Sequence, residues 1–354
     1  MNITKLINTV NTPCIVYSER QICQTIKKIY DDAREVQNFK LYYSVKANSC
    51  LEVIKTISRY VDGVELASKQ EYEIADDLHM KERIITIPAI TADFLKRVYD
   101  DGFIEDFNSL SMLKEYSTIL QGRRIGVRIV FPEDDYSRFG INCMDESFGD
   151  ILERRRVSVG RIHYHNSEYT VQKIRAICDY ILEVRERCTW FEDVSCISFG
   201  GGLYMLYKSD MNERNMFWRI VSGFAKEINE RQRIDIVFEP GTLLVMESGF
   251  LVCTALDSWV ERNKQVVILD SSAFNLFSWY LPNLLYPPDI SGVKTMICGC
   301  SCFEDDIFVR EKEIPIVKRG DRLVFSHVGA YATSMNRHLH QLPPPEEIIC
   351  PLDS

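Results

Sequence analysis

The chain has 354 residues, of which 46% are hydrophobic and 26% are charged, a composition typical of a globular protein with one large domain or two ordinary ones. Its formal net charge of -9 argues against a nucleic-acid partner, because binding to phosphates requires a basic face. No stretch reaches the roughly 18 apolar residues of a membrane span, and the N-terminus lacks the apolar core of a signal peptide. We therefore expect a cytoplasmic protein without membrane association.

Twelve cysteines are scattered along the chain, and in a reducing compartment most of them would be small buried hydrophobic residues. Cys298, Cys300 and Cys302 form the one cluster, and on a strand their spacing would place all three on the same face. The cluster lacks the paired C-x-x-C blocks of a structural zinc site, so we expect no metal site.

From about residue 18 to residue 245, short runs typical of strands alternate with longer runs of helical periodicity. The predicted strands are 41–45, 62–66, 83–88, 104–108, 124–130, 161–165, 196–199 and 234–238. Helical periodicity is clearest at 70–78, 92–99, 171–187 and 213–231. Eight such units predict a TIM-like (β/α)8 barrel. An open doubly wound sheet is the alternative, because periodicity does not show closure.

After about residue 245 the long helices stop, and the remaining chain predicts strands joined by turns. These strands are 249–255, 265–269, 294–298, 307–309 and 322–325. The pattern is typical of a mainly antiparallel β domain, which the apolar run 13–17 could join. We therefore expect an α/β protein in which 18–245 form the barrel, and 1–17 with 246–354 form a C-terminal β domain.

Residues with functional chemistry stand at the C-terminal ends of the predicted barrel strands, where barrel enzymes have their active sites. Lys46 follows the first strand, His165 ends the sixth, a Gly200–Gly202 triplet follows the seventh and Glu239 follows the eighth. Taken singly, each has an ordinary structural explanation. Together they suit one ligand, because glycines admit a phosphate, a carboxylate holds a protonated ring nitrogen, an imidazole stacks on a ring and a lysine forms a Schiff base. The set predicts pyridoxal 5′-phosphate (PLP).

Longer motifs surround these residues: YSVKAN at 43–48, GVELAS at 63–68 with Glu71, SRFG at 137–140, HYH at 163–165, SFGGGL at 198–203 and EPG at 239–241. They resemble the motifs of the fold-type III PLP-dependent decarboxylases, the group of ornithine, arginine and diaminopimelate decarboxylases, over nearly the whole chain. The resemblance implies a Schiff-base lysine at Lys46 and a carboxylate for the pyridine nitrogen at Glu239. The full implied cofactor-binding set is Lys46, His165, Ser167, Gly200, Gly201, Gly202, Glu239, Gly241 and Tyr331.

The β domain carries two further matches. The segment GCSCFEDD at 299–306 resembles the family segment G-P-x-C-x-x-x-D, and GAY at 329–331 resembles the motif whose tyrosine contacts the cofactor phosphate. The first match implies that Cys302 is a catalytic proton donor to Cα. It also implies that the segment reaches into the active site of the partner subunit of an obligate homodimer. Phe303, Asp305 and Asp306 are then the expected substrate-binding residues.

Departures from the family pattern concern substrate and phosphate contacts. Thr242 stands where the family has arginine, and the segment from His165 to Ser167 is one residue shorter than the family's H-x-G-S. Phe303 stands where ornithine decarboxylases have aspartate and diaminopimelate decarboxylases have glutamate, and HLHQ at 338–341 replaces a usual F-N-G. We therefore expect unchanged chemistry on a different substrate, either a diamino acid or a modified or conjugated amino acid.

Two alternatives compete with decarboxylation of an α-carboxylate to an amine and CO2. Alanine racemases share the fold and carry a lysine followed by Ala-Asn, but they typically continue with Tyr-Gly, where this chain has Ser49-Cys50-Leu51. They also use a tyrosine from the other subunit, whereas this chain offers Cys302. An inactive PLP-binding relative is the other alternative. Such relatives tend to lose site residues, whereas Lys46, His165 and Glu239 are all present here.

Overall fold

Sixteen strands form two sheets in the part of the chain that this computed structural model describes, residues 9–80, 82–131, 137–288 and 291–351. In chain order they are β1 (Cys14–Ser18), β2 (Phe39–Ser44), β3 (Gly63–Leu66), β4 (Arg83–Ile85), β5 (Asp106–Phe107), β6 (Arg124–Arg128), β7 (Ser158–His163), β8 (Cys196–Ser198), β9 (Asp235–Phe238), β10 (Gly249–Glu261), β11 (Lys264–Leu269), β12 (Asn283–Tyr286), β13 (Val293–Cys298), β14 (Ile307–Ile314), β15 (Arg322–Ser326) and β16 (Glu346–Cys350). The α-helices are α1 (Glu19–Asp32), α2 (Leu51–Ile57), α3 (Lys69–Asp77), α4 (Ala92–Asp100), α5 (Leu110–Glu115), α6 (Glu146–Arg155), α7 (Val171–Arg187), α8 (Met211–Ile228), α9 (Thr242–Val245) and α10 (Ala273–Leu276).

The first sheet is the predicted barrel. Its strands run parallel in the order β4-β3-β2-β9-β8-β7-β6-β5. An isolated parallel bridge between Ile85 and Glu105 joins the two outer strands, so the barrel is nearly closed. The prediction of a (β/α)8 barrel is therefore confirmed, and the open doubly wound sheet is excluded. Strand β5 is shorter than predicted, with only Asp106 and Phe107 in regular pairing.

Helix boundaries differ from the predictions where polar caps decide them. Helix α8 begins two residues before the predicted 213, because the Asp210 carboxylate accepts the N–H groups of Asn212 and Glu213. The predicted bounds of α7 agree with the structure. None of the described helices is long and apolar enough to cross a membrane.

An aromatic cluster holds the last two barrel strands against the helices outside them. The rings of Phe199 and Phe238 stack at 5.0 Å with an interplanar angle of 16°, and Trp218 of α8 lies 5.2 Å from Phe238. Strand residues alternate between the two faces of a sheet. Phe238 faces the outer helices, so the next residue, Glu239, faces the barrel interior. The same alternation turns Ser198 inward beside outward Phe199.

The second sheet is mostly antiparallel, as predicted. Its main path is β12-β15-β10-β11-β13-β14, and β1 pairs with both β10 and β16. Strand β1 confirms that the run 13–17 joins this sheet, whereas β12 and β16 were not predicted. Two pairings are parallel, β1 with β16 and β11 with β13.

By its internal contacts, the chain divides into two compact units. Residues 26–45 and 58–240 form the barrel unit, and 46–57 group with the described residues up to 25 and from 241 onward. The sequence-based boundaries differ, because a barrel of 18–245 includes Lys46 and Gly241, which the contacts group with the sheet unit. The segment after Lys46 belongs to the sheet unit, because Ala47 accepts the N–H of Tyr331 at 2.7 Å and the Asn48 amide donates to the Gly329 carbonyl at 2.8 Å.

Candidate active site

Glu239 lies at the centre of the barrel unit's polar interior and is only 1% exposed. Its carboxylate accepts the hydroxyl of Ser198 at 2.5 Å, and the Nε2 atom of His163 lies 3.5 Å away. The backbone N–H of Glu239 donates to the carbonyl of Gly200 at 2.8 Å. The end of β9 is thereby tied to the glycine triplet that follows β8.

The glycine triplet forms a turn that larger residues would not fit. Gly200 and Gly202 have φ angles of +62° and +83°, in the left-handed region that favours glycine. A Cβ atom on Gly200 would lie 2.7 Å from Nδ1 of His165, and one on Gly202 would lie 2.5 Å from the carbonyl oxygen of Asn166. The turn therefore packs closely against the loop that follows β7.

His165 and Ser167 lie on that loop. The N–H of Gly201 points to Nδ1 of His165 at 3.4 Å, and Ser167 is exposed, with its own N–H bonded to the Asn166 side chain at 3.0 Å. The structure thus brings together the predicted residues His165, Ser167 and Gly200–Gly202. It does so although the loop is one residue shorter than the family pattern.

The motif at 63–71 has a structural explanation. Glu65 is fully buried and accepts the hydroxyl groups of Ser44 and Thr86. Ser68 caps helix α3 by accepting the N–H of Glu71, whose carboxylate accepts the N–H of Ala67 at 2.7 Å. This reciprocal pair is close to a capping box, and it fixes the start of α3.

Lys46 lies in the sheet unit, in a single 3-10 turn that follows β2, and its side chain is half-buried. The next residue, Ala47, is bonded to Tyr331, so the lysine segment and the GAY segment are held side by side. Gly329 has no space for a side chain, since a Cβ atom there would lie 1.7 Å from the carbonyl oxygen of Val245. Gly241 is buried and immediately precedes α9.

The segment 299–306 is a loop, so Cys298, Cys300 and Cys302 do not lie on one strand and the spacing does not place them on one strand face. Only Cys298 belongs to β13, whereas Cys300 and Cys302 lie in the loop, where Cys302 is exposed. The buried Asp306 carboxylate holds this loop by accepting hydrogen bonds from the N–H groups of Phe274 and Ser301. In the described residues, no cluster of three or more His, Cys, Asp or Glu side chains could hold a metal ion.

Asp306 and Asp305 have different environments. Asp306 is buried, and its two carboxylate oxygens accept the N–H groups of Phe274 at 2.9 Å and Ser301 at 3.1 Å. Asp305 is exposed and lies 3.3 Å from Arg310. Burial, followed by the charge of Asp306, raises the pKa of the Cys300 thiol. Asp306 therefore serves the fold of the loop, and Asp305 faces outward.

An aromatic pair and a cation lie next to Cys302. Phe303 is 41% exposed, and its ring centroid lies 4.3 Å from that of Phe274. The guanidinium of Arg337 lies 4.3 Å from the same Phe274 ring and donates to the Phe274 carbonyl. Sequence reasoning missed Phe274 and Arg337, because 63 residues separate them and neither belongs to a motif. We refer to Phe303, Phe274 and Arg337 as the aromatic-arginine cluster.

Known proteins resemble this chain along most of its length. The sequence model of the pyridoxal-dependent decarboxylases, pyridoxal binding domain, matches residues 22–246. A 2-[(L-alanin-3-ylcarbamoyl)methyl]-2-hydroxybutanedioate decarboxylase of Staphylococcus aureus is 26% identical over 88% of this chain and 88% of that protein. A diaminopimelate decarboxylase of Buchnera aphidicola is 24% identical over 98% of this chain and 90% of that protein.

Solved structures share the fold. The arginine decarboxylase of Paramecium bursaria Chlorella virus, bound to agmatine, superimposes with a TM-score of 0.81 at 19% identity and covers 98% of each chain. The diaminopimelate decarboxylase of Helicobacter pylori, complexed with L-lysine, has a TM-score of 0.81 at 20% identity, over 100% of this chain and 95% of that one.

Proposed function

Since this chain belongs to the pyridoxal-dependent decarboxylases and is a PLP-dependent amino-acid decarboxylase, we propose that it acts as a homodimer on an amino acid whose distal end carries a carboxylate. The observation that carries the choice of substrate is the aromatic-arginine cluster beside Cys302. The cluster presents the guanidinium of Arg337, which can pair with a carboxylate and repels an ammonium group.

The residues assigned to PLP suit that cofactor by their chemistry. A glycine turn without space for side chains suits a phosphate, and a buried carboxylate suits a protonated pyridine nitrogen. Lys46 would hold the cofactor covalently, His165 would lie against its ring, and Glu239 would keep the ring nitrogen protonated. The phosphate contacts would come from Ser167, Gly200, Gly201, Gly202, Gly241 and Tyr331. When bound, PLP supplies an electron sink for the charge that remains at Cα as CO2 leaves.

Cys302 is the proposed proton donor to Cα. Its thiol is exposed on a loop that the buried Asp306 holds in shape, as a group must be to reach a second subunit. Proton transfer requires hydrogen-bonding reach to the reacting carbon, so the loop has to be well ordered. We expect this loop to enter the active site of the partner subunit, which makes a monomer inactive.

The substrate proposal follows from how the loop uses its acidic residues. A distal ammonium group would need a carboxylate partner, and in this segment Asp306 binds backbone N–H groups and Asp305 pairs with Arg310, so only Glu304 is left for that role. Glu304 is the remaining exposed acid of the segment. The Staphylococcus aureus relative acts on an alanine unit joined through a carbamoyl group to a hydroxybutanedioate, which supports a conjugated, carboxylate-bearing substrate.

The cellular setting is part of the same proposal. All twelve cysteines lie in the described residues and none of them forms a disulfide there, which suits the reducing cytoplasm. The product of the reaction is an amine, so we assign the enzyme to amine biosynthesis.

A panel of amino acids tests the substrate assignment. The panel contains ornithine, lysine, diaminopimelate and 2,3-diaminopropionate amides of di- and tricarboxylic acids, and the readouts are CO2 release and the mass of the amine. We expect the highest kcat/KM for the carboxylate-bearing amides. Faster turnover of ornithine or lysine than of every amide would reject the proposed distal group.

Subunit mixing tests the shared site. Lys46→Ala and Cys302→Ala are each expected to be inactive, and Cys300→Ala, which changes a neighbouring thiol, is expected to be active. Mixing the two inactive variants should restore about a quarter of the activity, since half of the dimers are mixed and each has one intact site. Absence of any recovery, with mixed dimers verified by mass, would contradict a site built from both subunits.

A further inference from the structure

A line of buried polar side chains leads from the far wall of the barrel to Glu239. Arg161 Nε donates to Asp106 Oδ1 at 2.8 Å, and Asp106 Oδ2 lies 3.0 Å from His163 Nδ1. The other ring nitrogen of His163, Nε2, lies 3.5 Å from Glu239 Oε2, which is within ion-pair distance. Each of these side chains is less than a tenth exposed.

Arg161 and Asp106, which lie farthest from Glu239 along this line, are fixed in place. Arg161 also donates to the carbonyl of Ile104 at 3.1 Å. Burial lowers the pKa of Arg161, but the opposing interactions, with Asp106 first among them, together outweigh burial, and the pKa of Arg161 is raised. Gly126 provides the space, because a Cβ atom there would lie 1.7 Å from Asp106 Oδ1. Arg161 and the close approach of Gly126 therefore hold Asp106 beside His163.

The orientation of His163 follows from this arrangement. A carboxylate accepts hydrogen bonds, so Nδ1 of His163 carries the hydrogen that Asp106 accepts. Nε2 is then the atom that faces Glu239. With Nδ1 as the donor, a neutral imidazole has its acceptor at Nε2, so a proton held between His163 and Glu239 would bridge Nε2 and Oε2.

We propose that His163, held by Asp106 and Arg161, is a positioning residue that fixes the orientation and the proton of Glu239, the carboxylate assigned to the pyridine nitrogen. The inference rests on the proposed role of Glu239. The proposal assigns a role to His163, Asp106 and Arg161 in addition to Glu239. Sequence analysis identified only Glu239 as a site residue. His163 itself stands two residues before the predicted ring-stacking His165.

Other charged and titratable groups approach this set from neighbouring strands. Glu105 is fully buried, and burial followed by the charge of Asp106 raises its pKa well above the usual range. Arg128 interacts electrostatically with Glu65, Glu239 and Asp106, and burial lowers its pKa. Cys196 is near Arg161, Asp106 and Glu239, and burial raises the pKa of its thiol to about 12, so it carries no charge at neutral pH.

Two substitutions test the contacts of the two ring nitrogens of His163 separately. In His163→Asn the amide can still donate to Asp106 but does not reach Glu239. In His163→Gln the amide reaches toward Glu239 without titrating. The control is His79→Asn, an exposed histidine with a left-handed backbone that asparagine tolerates.

The readouts are the absorption spectrum of the bound cofactor between pH 6 and 9, the dissociation constant for PLP, kcat and KM. For His163→Asn we expect a shift of about one pH unit in the midpoint of the cofactor band and about a tenfold loss of kcat. KM should remain unchanged, and His163→Gln should recover most of kcat. Spectra and pH profiles of His163→Asn that superimpose on those of the wild type would show that His163 only fills space.

A measurement on the unsubstituted holoenzyme covers the case in which His163→Asn does not fold. Nitrogen-15 NMR of labelled histidine side chains should show one ring whose Nδ1 stays protonated across pH 6–8. All six rings losing the Nδ1 proton in that range would overturn the proposal. Glu239→Gln is measured in parallel. If it alters the cofactor spectrum and His163→Asn does not, only the role of His163 fails; if neither alters it, the role of Glu239 fails.

Discussion

Replacing Asp306 with asparagine distinguishes a loop-forming residue from a substrate ligand. The carboxylate accepts the N–H groups of Phe274 and Ser301, one on each oxygen, and both hydrogen bonds are charge-assisted. Asparagine keeps the volume but places an NH2 group opposite one of these N–H groups. The change removes one such bond and leaves a donor buried, which together cost about 3 kcal/mol.

Hydrogen exchange measures this loss locally. A cost of about 3 kcal/mol corresponds to about 100-fold faster exchange of the Ser301 and Phe274 amides, provided that they exchange through local opening. The unfolding midpoint in urea should fall in parallel. Asp305→Asn is the matched control, because its exposed ion pair with Arg310 contributes less than about 1 kcal/mol.

Kinetics supply the refuting result. We expect Asp306→Asn to lower kcat strongly, because the loop that carries Cys302 loses its order. If exchange rates and the urea midpoint stay at wild-type values while KM alone rises, Asp306 binds substrate, and its assignment to the fold of the loop is wrong.

Further substitutions probe the barrel interior and the distal site. Gly126→Ala should destabilise the protein by about 1–3 kcal/mol in urea unfolding, because the new Cβ atom meets Asp106; Gly149→Ala in α6, where the space is open, should not. Glu105 has a raised pKa when folded, so folding retains its proton and stability falls above about pH 4.3 by up to about 1.4 kcal/mol per pH unit. Glu105→Gln should remove that slope, and equal slopes for the variant and the wild type between pH 5 and 7 would contradict a neutral Glu105. Arg337→Ala should raise KM for carboxylate-bearing substrates about 10–100-fold, with Arg310→Ala as control; an equal KM for both variants would exclude Arg337 from recognition.

The barrel was predictable because short runs rich in apolar residues alternate with periodic helices, with β5 as the exception. Strand β5 was difficult to predict because the ionisable residues Glu105 and Asp106 interrupt its apolar pattern. Their charges are explained only by the interior of the barrel, where Asp106 meets Arg161 and His163. A strand with buried polar neighbours therefore cannot be distinguished from a loop by local pattern.

The candidate site was predictable where motifs are local and unpredictable where contacts are distant. The glycine turn and Glu239 follow strands directly, so position along the chain was enough. Arg337 reaches Phe274 across 63 residues, and no periodicity encodes that contact. The cysteine spacing at 298–302 carries no structural information, because alternation holds only within a strand and β13 ends at Cys298, as predicted.

The hydrogen bonds that join the Lys46 segment to the GAY segment have a consequence for biosynthesis. Asn48 bonds to Gly329 across 281 residues, and Ala47 bonds to Tyr331. A ribosome that has completed all eight barrel strands has not yet made either partner. Lys46, the proposed Schiff-base lysine, thus acquires its final backbone environment only near the end of translation, so we expect nascent or C-terminally truncated chains to capture the cofactor poorly. The last part of the chain would then act as a checkpoint that keeps unfinished chains from reacting with the cofactor aldehyde.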